Sequence, residues 1–341
     1  MPNNFIFFIA LFPVLIYLGL LLFMDSYKLV RTAQVLSVVG YGILAALLSW
    51  GINTVLIDTI SIQFSSYSRW IAPWIEESVK AFFILILLKK SRLAFLVDSL
   101  IYGFAVGTGF ALIENIYYYL HLHSVNPAIW IIRGIGTAVM HGGCTAIFAL
   151  ITKRLYDGSW LRAWRWAIPG LAIAGLLHAM FNMVYFHPIV TSIIQVILFP
   201  VIVIPIYRQS ERNLKNWLEI GMDTDIELLE SIKSGRILQT RIGIYLQSLK
   251  DRFTPIILGD MLCYLQIHLE LAVRAKGVLL LREVNMNLPD DPDIQAKFTE
   301  LEYLKRNIGP TGRHIIDTFI HYNTRDLWHI YFLTPNQLPK K

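Results

Sequence analysis

From Phe5 to Tyr207 the chain carries seven runs of about 20 mostly apolar residues, the length an α-helix needs to cross a bilayer's hydrocarbon core. They fall at 5–24, 30–50, 69–88, 93–120, 128–152, 164–186 and 188–207, the last two separated only by His187-Pro188. A chain in lipid must satisfy its backbone polar groups internally, so these runs are expected as helices of one bundle. The first run lacks a basic leader and a small-residue cleavage site, and is expected to remain as a membrane helix.

After residue 207 the composition becomes that of an ordinary soluble domain. Apolar residues recur at helical spacing near 211–233, 236–251, 255–284, 294–307 and 312–332, with a loop at 287–293 (NLPDDPD). The stretch 256–281 is apolar enough to suggest an eighth span. Its Asp260, His268, Glu270, Arg274 and Lys276 point instead to a core helix of a soluble bundle. The expected class is all-α: a polytopic transmembrane helix bundle of about seven spans, residues 1–207, then a helical cytosolic domain, residues 208–341.

Charge placement supports this division and argues against a nucleic-acid partner. The net charge is +6, yet residues 1–207 hold 12 Lys+Arg against 7 Asp+Glu while the rest holds 18 against 17. The excess sits in short loops: Lys28 and Arg31, then Lys89, Lys90 and Arg92, then Lys153, Arg154, Arg162 and Arg165, and finally Arg208 and Arg212. Basic residues concentrate on alternate connections, which places the N-terminus outside and the tail in the cytosol. Two cysteines, Cys144 and Cys263, lie in different parts and rule out a disulfide framework or a zinc ribbon.

Several ionisable residues interrupt the apolar runs. The third run contains Glu76, Glu77 and Lys80, which share a face at i,i+3 and i,i+4 spacing. Each charge near a membrane-helix centre costs about 2.5–3.5 kcal/mol on an insertion scale, and one lysine balances only one carboxylate. The fourth run adds Glu114 beside Asn115, the fifth His141, and the sixth His178 with Asn182 one turn later. Measured along the helices at about 1.5 Å per residue, Glu76, Glu77, Glu114, His141 and His178 reach one depth range in the outer half of the bilayer. Asp98 lies near the inner end of its run and stays apart. Gly103, Gly107 and Gly109 are expected to serve close helix packing.

Such a group can activate water where water is scarce. In one route His141, His178 and a glutamate (Glu114) hold Zn²⁺, and another glutamate takes the proton. In a metal-independent route Glu76 or Glu77 activates water directly while a histidine stabilises the oxyanion. No HExxH motif is present to select between them. A proton- or ion-coupled transporter also uses intramembrane carboxylates and histidines, although no repeat is visible here. A non-catalytic membrane sensor or scaffold on the same fold is the third reading.

The set EExxK at Glu76–Lys80, then Asp98 to Asn115 (DSLIYGFAVGTGFALIEN), then His141 and His178 on later runs, resembles the PrsW family of intramembrane proteases. It is similar, more distantly, to the CAAX-protease and bacteriocin-processing superfamily, which shares paired glutamates and two later histidines on membrane helices. The likeness covers about residues 65–190. It implies a peptidase acting on membrane-protein substrates, anti-sigma-factor-like, in a bacterial cell membrane, and a grouping with metallopeptidases. It carries over Glu76, Glu77, Glu114, His141 and His178 as site residues, with Lys80 in support. Asn182 stands where the family commonly has an acidic residue, which weakens a ligand role there. The tail falls outside the likeness and is expected to regulate or to recruit a protein partner.

Overall fold

The computed structural model describes residues 4–317 except 61, 91–92, 94, 123–125, 157–162, 184–186, 285 and 287–292. Arg92, Arg162, most of the expected loop at 287–293 and the expected helix beyond residue 317 lie outside the described residues. Those described form helices and no strand. They divide into two compact units, residues 1–210 and 211–341.

The first unit contains α1 (Asn4–Met24), α2 (Thr32–Ile60), the short α3 (Phe64–Trp70), α4 (Ala72–Lys89) and α5 (Leu96–His121). It continues with α6 (Pro127–Ile131), a π-helical segment (Ile132–Thr137), α7 (Ala138–Leu155), α8 (Ala163–Asn182) and the start of α9 (Pro188–Lys233). Its centre is α5, buried without a break from Val97 to Ala111 and packed most extensively on α7 and α2. Gly107 makes this possible. A Cβ there would stand 2.3 Å from the His141 carbonyl oxygen, so any larger residue would force α5 off α7. Asp98 is used locally, accepting the Phe95 N–H at 3.0 Å to cap the start of α5.

Outer helices of this unit turn apolar side chains outward: Phe8 of α1, Val55 of α2, and Ile197 and Val201 of α9 are each more than half exposed. A soluble protein rarely exposes so much contiguous apolar surface, and hydrocarbon tails remove the penalty. Among the described residues, six helices are long and apolar enough to cross a membrane: α1, α2, α5, the Pro127–Leu155 run, α9 and α11. Two helices of the first unit, α4 and α8, are not among them. They are the two that carry Glu76, Glu77 and Lys80, and Arg165 and His178. At about 1.5 Å per residue, their 18 and 20 residues still extend about 27 and 30 Å, close to the hydrocarbon thickness.

Element boundaries differ from the sequence expectation in several places; the second run, expected to end at residue 50, continues in α2 to Ile60. The third run is broken at Ile71, which separates α3 from α4, with Pro73 in the first turn of α4. The last run does not stop at residue 207 but continues as one 46-residue helix to Lys233, with Pro200 and Pro205 inside it. Nothing between Tyr207 and Lys233 breaks a helix, because Gly221 alone is tolerated.

The second unit continues from the end of α9 through α10 (Arg241–Ser248), α11 (Pro255–Glu283), α12 (Asp293–Asn307) and α13 (Gly309–Asp317). Met261, Leu265 and Leu271 of α11 share one apolar core with Leu301, Leu304, Ile308 and Ile316. The charges that break its apolar character meet partners in the same unit. Glu270 is 2.9 Å from Lys233 and 2.8 Å from Lys297, and Lys276 is 2.7 Å from Asp225.

Candidate active site

Glu76 and Glu77 are neighbours in sequence, but on a helix they point about 100° apart, and the two carboxylates meet different partners. Glu77 is 2% exposed and its Oε1 accepts from Lys80 Nζ at 2.5 Å and from His178 Nδ1 at 2.9 Å. His178 therefore carries its proton on Nδ1. Its Nε2 lone pair is left facing Glu76, whose Oε2 is 3.8 Å away. The close seat of α8 on α4 depends on Gly175, one turn before His178, where a Cβ would lie 2.6 Å from the Trp74 ring.

Lys80 is fully buried, and its ammonium also reaches His141 Nδ1 at 3.0 Å. An ammonium only donates, so Nδ1 accepts and His141 carries its proton on Nε2. That Nε2–H donates to Glu114 Oε2 at 2.8 Å. Phe110 covers this corner, with the ammonium 4.4 Å and the His141 ring 4.8 Å from its centroid. The two imidazoles stand edge to face, 4.8 Å between centroids. Six of the expected residues, Lys80 among them, thus meet in one cluster from α4, α5, α7 and α8.

Exposure divides their tasks. Glu77, Lys80, His141 and His178 are all at 2% or less, whereas the side chains of Glu76 and Glu114 are 17% and 27% exposed. The open side of the cluster is lined by two carboxylates. Glu76 is steadied from α2 by Asn53 Nδ2 at 3.4 Å, and Asn53 is fixed by accepting the Tyr67 hydroxyl at 2.9 Å. Glu114 makes an ion pair with Arg133 at 3.3 Å.

The two expected supporting asparagines sit at the margin. Asn115 Nδ2 donates to the Ala10 carbonyl at 2.7 Å and the Arg133 carbonyl at 3.3 Å, tying α5 to α1 and to the π segment. Asn182 Nδ2 donates to the Ser68 carbonyl at 3.0 Å, tying the end of α8 to α3. Asn53 and Arg133 carried no site expectation from the sequence. The only signal for Arg133 was a charge inside an apolar run, which reads equally well as a topology marker.

Metal-donor atoms of Glu76, His141 and His178 all lie within 4.8 Å of one another. The expected third donor, Glu114, instead binds His141 and Arg133. The chemistry of the set suits zinc, with two imidazoles and a carboxylate, and Glu77 behind His178 supplies the carboxylate that orients a ligating histidine. Glu76 and His178 Nε2 present lone pairs as they stand. His141 does so once the Lys80 contact at its Nδ1 is exchanged.

A family model described as PrsW family intramembrane metalloprotease matches residues 30–206, a stretch that holds every residue of the cluster. No curated protein and no solved structure matches the chain.

Proposed function

Because this chain belongs to the PrsW family of intramembrane metalloproteases, we propose that it hydrolyses peptide bonds of membrane-protein substrates at the cluster of Glu76, Glu77, Glu114, His141 and His178. The observation that carries this reading is the buried Lys80–Glu77–His178 chain, which aims one imidazole lone pair at Glu76 beside a second histidine. Neither a scaffold nor a sensor has use for so costly an arrangement of charges.

Glu76, His141 and His178 are the residues that would hold a zinc ion. When bound, zinc supplies a Lewis acid for the peptide carbonyl and lowers the pKa of a water towards about 7. Glu77 keeps His178 in the ligating tautomer, and Lys80 balances the Glu77 charge. Glu114, the most open carboxylate, takes the proton from the attacking water and returns it to the leaving amine. The hydrogen bond from His141 Nε2 to Glu114 favours a second route. In it Glu76 draws the proton directly and His141 acts as a hydrogen donor to the oxyanion.

The substrate proposed is a membrane protein of the anti-sigma-factor kind. Loop charges support an N-terminus outside and the second unit in the cytosol, and the family likeness suggests a bacterial cell membrane as the setting. The second unit, with its own core, is assigned a regulatory or recruiting role towards a protein partner. Metal removal tests the site. Chelation of the purified full chain is expected to abolish cleavage of a co-expressed tagged single-span substrate, and stoichiometric Zn²⁺ to restore it. Full activity with no bound metal would move the chemistry to the direct glutamate route.

A further inference from the structure

Three consecutive contacts on one turn of α5 converge on a single residue that the peptidase reading does not use. Glu114 lies 3.3 Å from Arg133 Nη2, Asn115 donates to the Arg133 carbonyl at 3.3 Å, and the Tyr118 ring lies 3.6 Å below the guanidinium carbon. Residues i, i+1 and i+4 of one helix thus form a seat for one arginine. Charge, main chain and plane are each fixed by a different side chain.

The seated guanidinium is incompletely satisfied. Arg133 is 14% exposed, and its Nε and Nη2 make no hydrogen bond among the described residues. Glu114 is near enough for ion pairing but does not meet these donors in hydrogen-bond geometry. Two buried donor nitrogens without acceptors carry a desolvation cost that a seat so well built would otherwise remove. The Nε and Nη2 edge is one of the forks of the guanidinium, from which two in-plane N–H donors can converge on one oxygen. Arg133 also belongs to the π-helical segment Ile132–Thr137, which precedes His141 on the same run. Such segments recur at functional sites.

We propose that Arg133 is a substrate-binding residue of the peptidase site, whose Nε–H and Nη2–H take the carbonyl oxygen of the scissile peptide. This rests on the peptidase reading above. As water adds to the carbonyl carbon, the C=O π pair moves onto the oxygen held by Arg133. When the C–N bond breaks, that pair re-forms the carbonyl, and the amine leaves with the proton that Glu114 received from the water. Glu114 then holds two ends together, His141 on one side and the oxygen-binding arginine on the other.

The test uses the full chain in nanodiscs with two probes. One is a fluorescent single-span peptide selected for cleavage by the wild-type enzyme, and the other is its phosphinate isostere at the cleaved bond, a mimic of the tetrahedral oxyanion. Arg133→Gln is expected to lower kcat by about 10²–10³, the range for loss of one oxyanion donor, with KM within about threefold. Phosphinate affinity should fall by a similar factor while affinity for the uncleaved peptide holds. Arg133→Lys keeps the charge beside Glu114 but not the fork. It should fold with an unchanged Tm and still lose at least about tenfold in phosphinate-over-peptide preference. Unchanged kcat and phosphinate affinity in both variants, with a wild type that cleaves, would overturn the inference and leave the peptidase reading standing. Equal weakening of both probes would overturn it in favour of a packing role. A selection that yields no single-span peptide cleaved by the wild type removes both.

Discussion

Replacing Glu77 with glutamine separates stability from chemistry at this site. Glu77 is 2% exposed and neutralises Lys80, which is fully buried. Removing one member of a buried ion pair leaves the other uncompensated, a loss of about 3–5 kcal/mol. The first unit has 210 residues. At about 2–4 °C per kcal/mol for a unit of that size, Glu77→Gln is expected to lower Tm by about 6–20 °C. Adding Lys80→Met removes the orphaned ammonium, and most of that Tm is expected to return because paired changes at a buried ion pair are strongly coupled. Activity should not return with it. His178 Nδ1 still lacks a carboxylate, and loss of such a partner costs about 10–100-fold in metal affinity or rate. Differential scanning fluorimetry and substrate cleavage on the single and double variants give both readouts. A double variant that regains wild-type cleavage, or a single variant with wild-type Tm, would refute the account of Glu77 as the residue that neutralises Lys80 and orients His178.

Two further outcomes follow from the topology and the units. A reporter fused after Arg212 is expected to behave as cytosolic and one inserted between Asp58 and Ser66 as extracytoplasmic; a reversed pair of signals would overturn the proposed orientation. The chain ended after Lys233, which keeps α9 whole, is expected to cleave substrate supplied at high level but not at native level. A well-inserted truncation that is inactive at every substrate level would sink the recruiting role of the second unit.

Much of this protein is local in origin and so legible in the sequence. Runs of about 20 apolar residues have one stable form in lipid, and the i,i+3 spacing of Glu77 and Lys80 makes their pairing a property of one helix. An ionisable residue in such a run is costly, which by itself selected Glu76, Glu77, Glu114, His141 and His178. Periodicity says nothing of which residue on another helix a side chain will meet. The partner of Glu77 is His178, 101 positions away, and that of Tyr67 is Asn53 on a different helix. Helix packing alone decided that Glu76 faces the open side while its neighbour Glu77 is sealed behind it. Packing likewise turned Glu114, expected as a ligand, towards Arg133 and His141. Hydrogen-bond partners settled the two histidine tautomers, because each proton lies where a neighbouring acceptor requires it. Those partners come from four helices, whose approach rests on small residues such as Gly107 and Gly175.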